Sequence, residues 1–140
     1  MIAYFDTSAV VPLVVEEPVS DTAHRLWMEA ERLVSVRLVY PEARAALAQG
    51  RRMDRIDARG LRAAVVGLEG LLDQMDMIEL TAELAHEAGH LAEVRALRGY
   101  DAVHLAAART LRDADLVLVA ADRALCQAAT AEDLNVAQLG

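Results

Sequence analysis

Short, unbroken apolar runs recur along this chain, separated by stretches with the rhythm of amphipathic helices. Ile2-Ala3-Tyr4-Phe5 and Leu116-Val117-Leu118-Val119-Ala120 show almost no apolar–polar alternation. A strand of that kind has no face to offer to water, so it belongs in the middle of a sheet covered on both sides. Strands that alternate with helices demand parallel pairing, and the fold class is therefore α/β. The pattern predicts strands near 2–5, 33–36, 77–80, 116–120 and 135–138, and helices near 8–15, 20–31, 38–49, 55–74, 82–95, 101–111 and 123–130. Ser20 or Asp21 is placed to cap the second helix and Thr81 the fifth, while Pro41 is tolerated only in the first turn of the third. Gly50, Gly99 and Gly140 fall at expected breaks. Strand order is not legible in this pattern.

The 140 residues, 55% of them hydrophobic, supply core enough for a single domain over 1–140. No apolar run approaches the roughly 18–20 residues that cross a bilayer. The start, Met1-Ile2-Ala3-Tyr4, lacks the pattern of a signal peptide. The single cysteine, Cys126, excludes an internal disulfide and is expected as a buried thiol, so a cytoplasmic setting without membrane contact is expected. The formal charge of −8 favours a basic polypeptide partner over nucleic acid. Two details qualify that preference. All 14 cationic residues are arginine, which removes a Walker P-loop, a Schiff base and the lysine of receiver domains. Five arginines, Arg51, Arg52, Arg55, Arg59 and Arg62, crowd one segment; they read either as a solvated helix face or as a rim tracking RNA phosphates, with Arg51, Arg52 and Arg55 the RNA-binding candidates.

Four acidic residues lie within otherwise apolar stretches: Asp6, Glu42, Asp101 and Asp122. A carboxylate in such surroundings is costly unless it is paired or holds a cation. Asp6 and Asp122 each follow a predicted central strand, the place where open parallel sheets bind ligands. Four of them converging would make a hard-cation site of the kind that takes magnesium through oxygen ligands and retained waters.

The residues around these acids resemble a known family. Phe5-Asp6-Thr7-Ser8-Ala9, Tyr40-Pro41-Glu42-Ala43, Tyr100-Asp101-Ala102-Val103-His104-Leu105-Ala106 and Ala121-Asp122-Arg123-Ala124-Leu125 resemble PIN domains, and more narrowly the VapC toxins of toxin–antitoxin pairs. The resemblance runs over nearly the whole chain, in order. It implies a PIN-like fold whose central parallel sheet of about five strands is ordered 3-2-1-4-5 and flanked by about seven helices. It also implies an endoribonuclease dependent on Mg2+ or Mn2+, cutting RNA phosphodiesters with a metal-activated water to leave 5′-phosphate and 3′-hydroxyl ends. As partners it implies a homodimer and a cognate VapB-like antitoxin, in a heterotetramer or larger assembly. Asp6, Glu42, Asp101 and Asp122 match the family's catalytic and metal-binding acids, and Thr7 and Ser8 its supporting hydroxyls. Where many relatives carry Ser or Thr two residues before the fourth acid, this chain has Ala120, which makes Asp122 a candidate for a water-mediated ligand.

Competing readings remain. Each acid alone could be a helix cap, Asp6 for a helix from Thr7 and Asp101 for one from Ala102. His86-Glu87-Ala88-Gly89-His90 reads literally as H-E-x-x-H, whose histidines on one helix face suit zinc and whose glutamate suits a protease base; no third ligand is free nearby. An aspartyl-phosphate phosphatase also has an acid after its first strand, but needs a second where this chain has Ser8. A catalytically silent scaffold that binds an antitoxin is the non-enzyme alternative. His104 shares a helix face with Asp101 and could orient it or simply pack, Trp27 reads as a core or interface anchor, and Arg98 is placed for a salt link to a carboxylate.

Overall fold

The computed structural model describes residues 1–112 and 115–140. Five strands, β1 (Ile2–Phe5), β2 (Arg32–Val36), β3 (Asp76–Ile78), β4 (Leu116–Ala120) and β5 (Asn135–Gln138), pair in parallel in the order β3-β2-β1-β4-β5. Between them run α1 (Thr7–Val10), which continues into a 3-10 turn at Val11–Leu13, then α2 (Ser20–Glu29), α3 (Val39–Arg52), α4 (Ala58–Leu72), α5 (Ala82–Arg95), α6 (Gly99–Arg109) and α7 (Arg123–Ala131). The expected fold class, strand order and helix count all hold among the described residues.

The unbroken apolar strands are explained by two cores. Along β1, Ala3 and Phe5 face one core with Val10, Trp27, Val39 and Leu68, while Tyr4 faces the other with Leu91, Leu105 and Leu125. On β4, Leu118 and Ala120 share Tyr4's side and Val119 shares that of Phe5. Successive side chains on a strand point to opposite faces, so both faces must be apolar. Trp27 is the expected anchor: it meets Phe5 edge to face with ring centroids 5.4 Å apart, a pairing worth about 1 kcal/mol beyond its burial.

Several local expectations are corrected. Ser20 does not cap α2; its hydroxyl donates to the carbonyl of Pro12 and accepts from the amide of Glu17, fastening the preceding loop instead. Gly50 and Gly99 lie within α3 and α6. The left-handed residue after α3 is Asp54 (φ 57°), and Ala96 (φ 54°) plays that part after α5, positions where glycine is usual because a Cβ is crowded there. Thr81 does cap α5, accepting from the amide of Leu84. Pro41 sits in the first turn of α3.

Because β1 lies at the centre and pairs with both β2 and β4, the chain leaving its carboxyl end meets the start of α3 and the loop after β4. Residues distant in sequence come together there.

Candidate active site

Asp6, Glu42, Asp101 and Asp122 line one cavity of about 380 Å³, together with Thr7, Ser8, Glu17 and Arg98. Each acid arrives differently. Asp6 extends β1 by one ladder bond, its amide donating to the carbonyl of Val119. Its carbonyl accepts from the amides of Ala9 and Val10, so its backbone starts α1, but its side chain makes no cap hydrogen bond. Asp101 lies inside the first turn of α6, whose cap position is Arg98. Only Asp122 caps with its side chain: Oδ1 accepts from the amide of Leu125 at 2.9 Å, leaving Oδ2 toward the cavity partner described below. The cap explanation thus covers one acid of the four.

Asp6 is 3% exposed. Ser8 Oγ donates to its Oδ1 at 2.7 Å and in turn accepts from the amide of Ala121 at 2.8 Å, so one hydroxyl ties the tip of β1 to the end of β4. Burial pushes the Asp6 carboxyl up to about 6; His104 and Ser8 oppose that rise and Asp101 adds to it. A carboxylate that is costly to ionise and held by a single hydroxyl is one that a cation would stabilise.

Glu42 enters from the first turn of α3. Its Oε1 accepts from Thr7 Oγ1 at 2.8 Å and lies 2.6 Å from His104 Nε2, while His104 Nδ1 lies 2.8 Å from the Tyr4 hydroxyl. Thr7 therefore serves Glu42 and Ser8 serves Asp6. Burial works to raise Glu42, but the hydrogen bond and charge of His104, then Thr7 and Arg98, outweigh it and leave the carboxyl below its ordinary value. Burial and the charge of Asp6 push the Tyr4 phenol well above its usual range, so it stays protonated. Nδ1 thus faces the Tyr4 hydroxyl and Nε2 faces Glu42, so both ring nitrogens of the buried imidazole have a partner.

The other half of the cavity is held by one guanidinium. Arg98 Nε donates to Asp101 Oδ2 at 2.9 Å and Nη2 to Asp122 Oδ2 at 3.2 Å, and the group also lies 5.5 Å from the centre of the Tyr100 ring. As the side chains stand, no group of three or more His, Cys, Asp or Glu among the described residues is arranged to hold an ion directly. The donor set still fits a hard divalent cation. Five carboxylates line the cavity against one fixed positive charge, and magnesium needs only one or two direct carboxylates because it keeps its waters.

Sequence reasoning placed Arg98 beside the acids but missed Glu17 and Tyr100 as lining residues, Tyr4 as His104's partner, and Glu42 as its target. The spacing of His104 from Asp101 was a signal for the face, not for the partner. Arg51, Arg52 and Arg55 do not line the cavity; they are exposed near the far end of α3. Arg51 pairs with Asp54, and Arg52 donates to Gln49. In the H-E-x-x-H segment His86 and His90 are exposed on α5, and Glu87 is bound by Arg109 from α6. Burial pushes the Cys126 thiol up to about 11, which fits a packing role.

The PIN domain family profile matches residues 3–131, so the chain belongs to the PIN-domain family, among its VapC-type members. It is 42% identical over 98 residues to ribonuclease VapC45 of Mycobacterium tuberculosis, a match covering 70% of this chain and 68% of that protein. Among solved structures, that of PAE2754 from Pyrobaculum aerophilum is similar with a TM-score of 0.71 and 24% identity, over 97% of this chain and 83% of the other. The structure of VapBC2 from Rickettsia felis bound to a DNA fragment from their promoter matches with a TM-score of 0.63 and 14% identity, over the full length of both chains. No helix among the described residues is long and apolar enough to cross a membrane.

Proposed function

We propose that this chain is a divalent-cation-dependent endoribonuclease acting as the toxin of a toxin–antitoxin pair in the cytoplasm. The observation that carries the reading is the meeting of Asp6, Glu42, Asp101 and Asp122 in one cavity at the carboxyl end of a central strand. The 42% identity to a ribonuclease supports it. Asp6, Glu42, Asp101 and Asp122 would hold Mg2+ or Mn2+. Such a cation supplies charge for the phosphodiester and an acidified water for hydrolysis, which leaves 5′-phosphate and 3′-hydroxyl ends. Ser8 fixes the Asp6 carboxylate, and Thr7 with His104 fixes that of Glu42, so both acids are oriented before substrate arrives. Asp122 is anchored by the Leu125 amide without help from a hydroxyl at position 120.

Arg51 and Arg52 end α3, the helix whose first turn holds Glu42, and Arg55 lies just past it; these three would follow the RNA backbone. Reversing their charge should weaken RNA binding and flatten its salt dependence more than it slows turnover. A VapB-like antitoxin fits the apolar groove of about 830 Å³ between α3 and α4, where Pro41, Ala45, Ala48, Leu61 and Val65 offer surface beside Arg44 and Arg62. A homodimer binding antitoxin as a heterotetramer or larger assembly is the corresponding quaternary reading.

The test is cleavage of labelled RNA with Mg2+ or Mn2+, with and without chelator, by the native chain and by Asp6→Asn. Cleavage should require the cation and fall by about a hundredfold or more in the variant. Chelator-resistant cleavage, or an active Asp6→Asn chain, overturns the mechanism.

A further inference from the structure

We propose that Arg98 is an exchangeable counter-charge: it neutralises Asp101 and Asp122 until a divalent cation takes their oxygens, and it then turns to an RNA phosphate at the cavity mouth. This rests on the nuclease reading and adds a residue outside its acids and hydroxyls.

Four observations converge on it. Arg98 donates to Asp101 Oδ2 and Asp122 Oδ2, so its guanidinium competes in charge and in lone pairs with a cation for those oxygens. Among the described residues lining the cavity it carries the only fixed positive charge, so apart from the Leu125 amide on Asp122 no other group described there offsets those two carboxylates. Its side chain is 66% exposed while that of Asp101 is 8% exposed, so the buried carboxylate needs a counter-charge and the guanidinium can move into solvent without disturbing the core. Its backbone is held at the cap position of α6, while the half-exposed Tyr100 ring, already 5.5 Å from the guanidinium and also lining the cavity, is a contact it can keep when the carboxylates let go. The planar fork that spans two carboxylates suits a phosphate equally well. The acids without this partner, Asp6 and Glu42, are held by hydroxyls and an imidazole and need no release.

The exchange gives opposite signs for two affinities, which a purely structural arginine does not. Calorimetric titration of Mn2+ into the metal-free chain, and the half-saturating concentration of a labelled random-sequence RNA pool, are measured for the native chain, Arg98→Gln and Arg98→Lys. Arg98→Gln should bind Mn2+ about threefold to tenfold tighter, because the competing ion pairs are gone. Its half-saturating RNA concentration should rise about threefold to tenfold, with a smaller change in turnover at saturation. Arg98→Lys keeps the charge but cannot span both acids, so it should fall between on both measures, and it carries the test if Arg98→Gln does not fold. A variant no tighter for Mn2+, or one weakened for Mn2+ and RNA together, overturns the exchange. A native chain that takes up Mn2+ and cleaves RNA alongside such a variant leaves the nuclease reading standing. A native chain that binds no Mn2+ and leaves RNA intact overturns both.

Discussion

Asp6 and Glu42 are held by hydroxyls and a buried imidazole, whereas Asp101 and Asp122 on the opposite wall of the same cavity share a solvent-exposed guanidinium. On the first wall the partners are short and held by the fold: Tyr4 is fully buried, His104 is 1% exposed, and Thr7 and Ser8 are half-buried. Moving one carboxylate there disturbs side chains on both sides of the sheet. On the second wall the partner is long, charged and wet, and can leave without opening the core. The contrast teaches that one site can combine fixed acids, which set geometry, with loosely neutralised acids, which accept an incoming charge at low cost.

The sharpest way to break this contrast is to remove His104. His104→Ala leaves the Tyr4 phenol without its imidazole partner and Glu42 Oε1 with Thr7 alone, beside a new void, and should cost about 3 kcal/mol in urea unfolding. If Arg98→Gln cost the metal-free chain as much as this, the two walls would not differ as described.

Asp6 sharpens the same point through pH. Its carboxyl titrates near 6 in the fold against an ordinary 3.8, so the folded chain takes up this proton first as pH falls. The corresponding stabilisation is fully present below pH 3.8 and is lost as pH rises through about 6. Asp6→Asn keeps an acceptor for Ser8 but never ionises. It should therefore be more stable than the native chain at pH 7 by about 2 kcal/mol without metal, with the difference vanishing toward pH 4. A pH-independent difference in denaturant midpoints contradicts the assignment.

Ser8→Ala tests the tie between the strands. It strands the Ala121 amide and one Asp6 oxygen, and should lower stability by about 1–2 kcal/mol while leaving secondary structure by circular dichroism unchanged. The smallest expected effect lies outside the cavity. Ala96→Gly relieves the left-handed backbone that precedes Leu97 and Arg98, and should raise stability by about 0.5–1 kcal/mol. A loss there would mean that the alanine methyl contributes more by packing than it costs by strain.

What was legible in the sequence follows the range of the forces involved. β1 and β4 were readable because burial on both faces leaves a local signature, and Thr81 because a cap acts over three residues. The four acids were readable as a set through the resemblance, which also supplied the strand order. The partnerships were not. Glu42 meets His104 across 62 positions and Tyr4 meets His104 across 100, contacts that exist only once the sheet has assembled. Arg98 shows both cases: its bond to Asp101, three residues on, was visible as a spacing, while its bond to Asp122, 24 positions on, depends on α6 packing beside α7. Ser20 and Gly50 were misread because tertiary demand, a loop to fasten and a helix to extend, overrode local preference.

The bridge from Ser8 to Ala121 joins positions 113 apart, so it also sets a schedule for the growing polypeptide. On the ribosome the first acid emerges early and waits through the synthesis of most of the fold before the strand that completes its surroundings appears. Until the fourth strand docks, Asp6 lacks both the Ser8 bridge to Ala121 and the neighbouring Asp122, so the chemistry proposed for this pocket belongs to the finished fold alone.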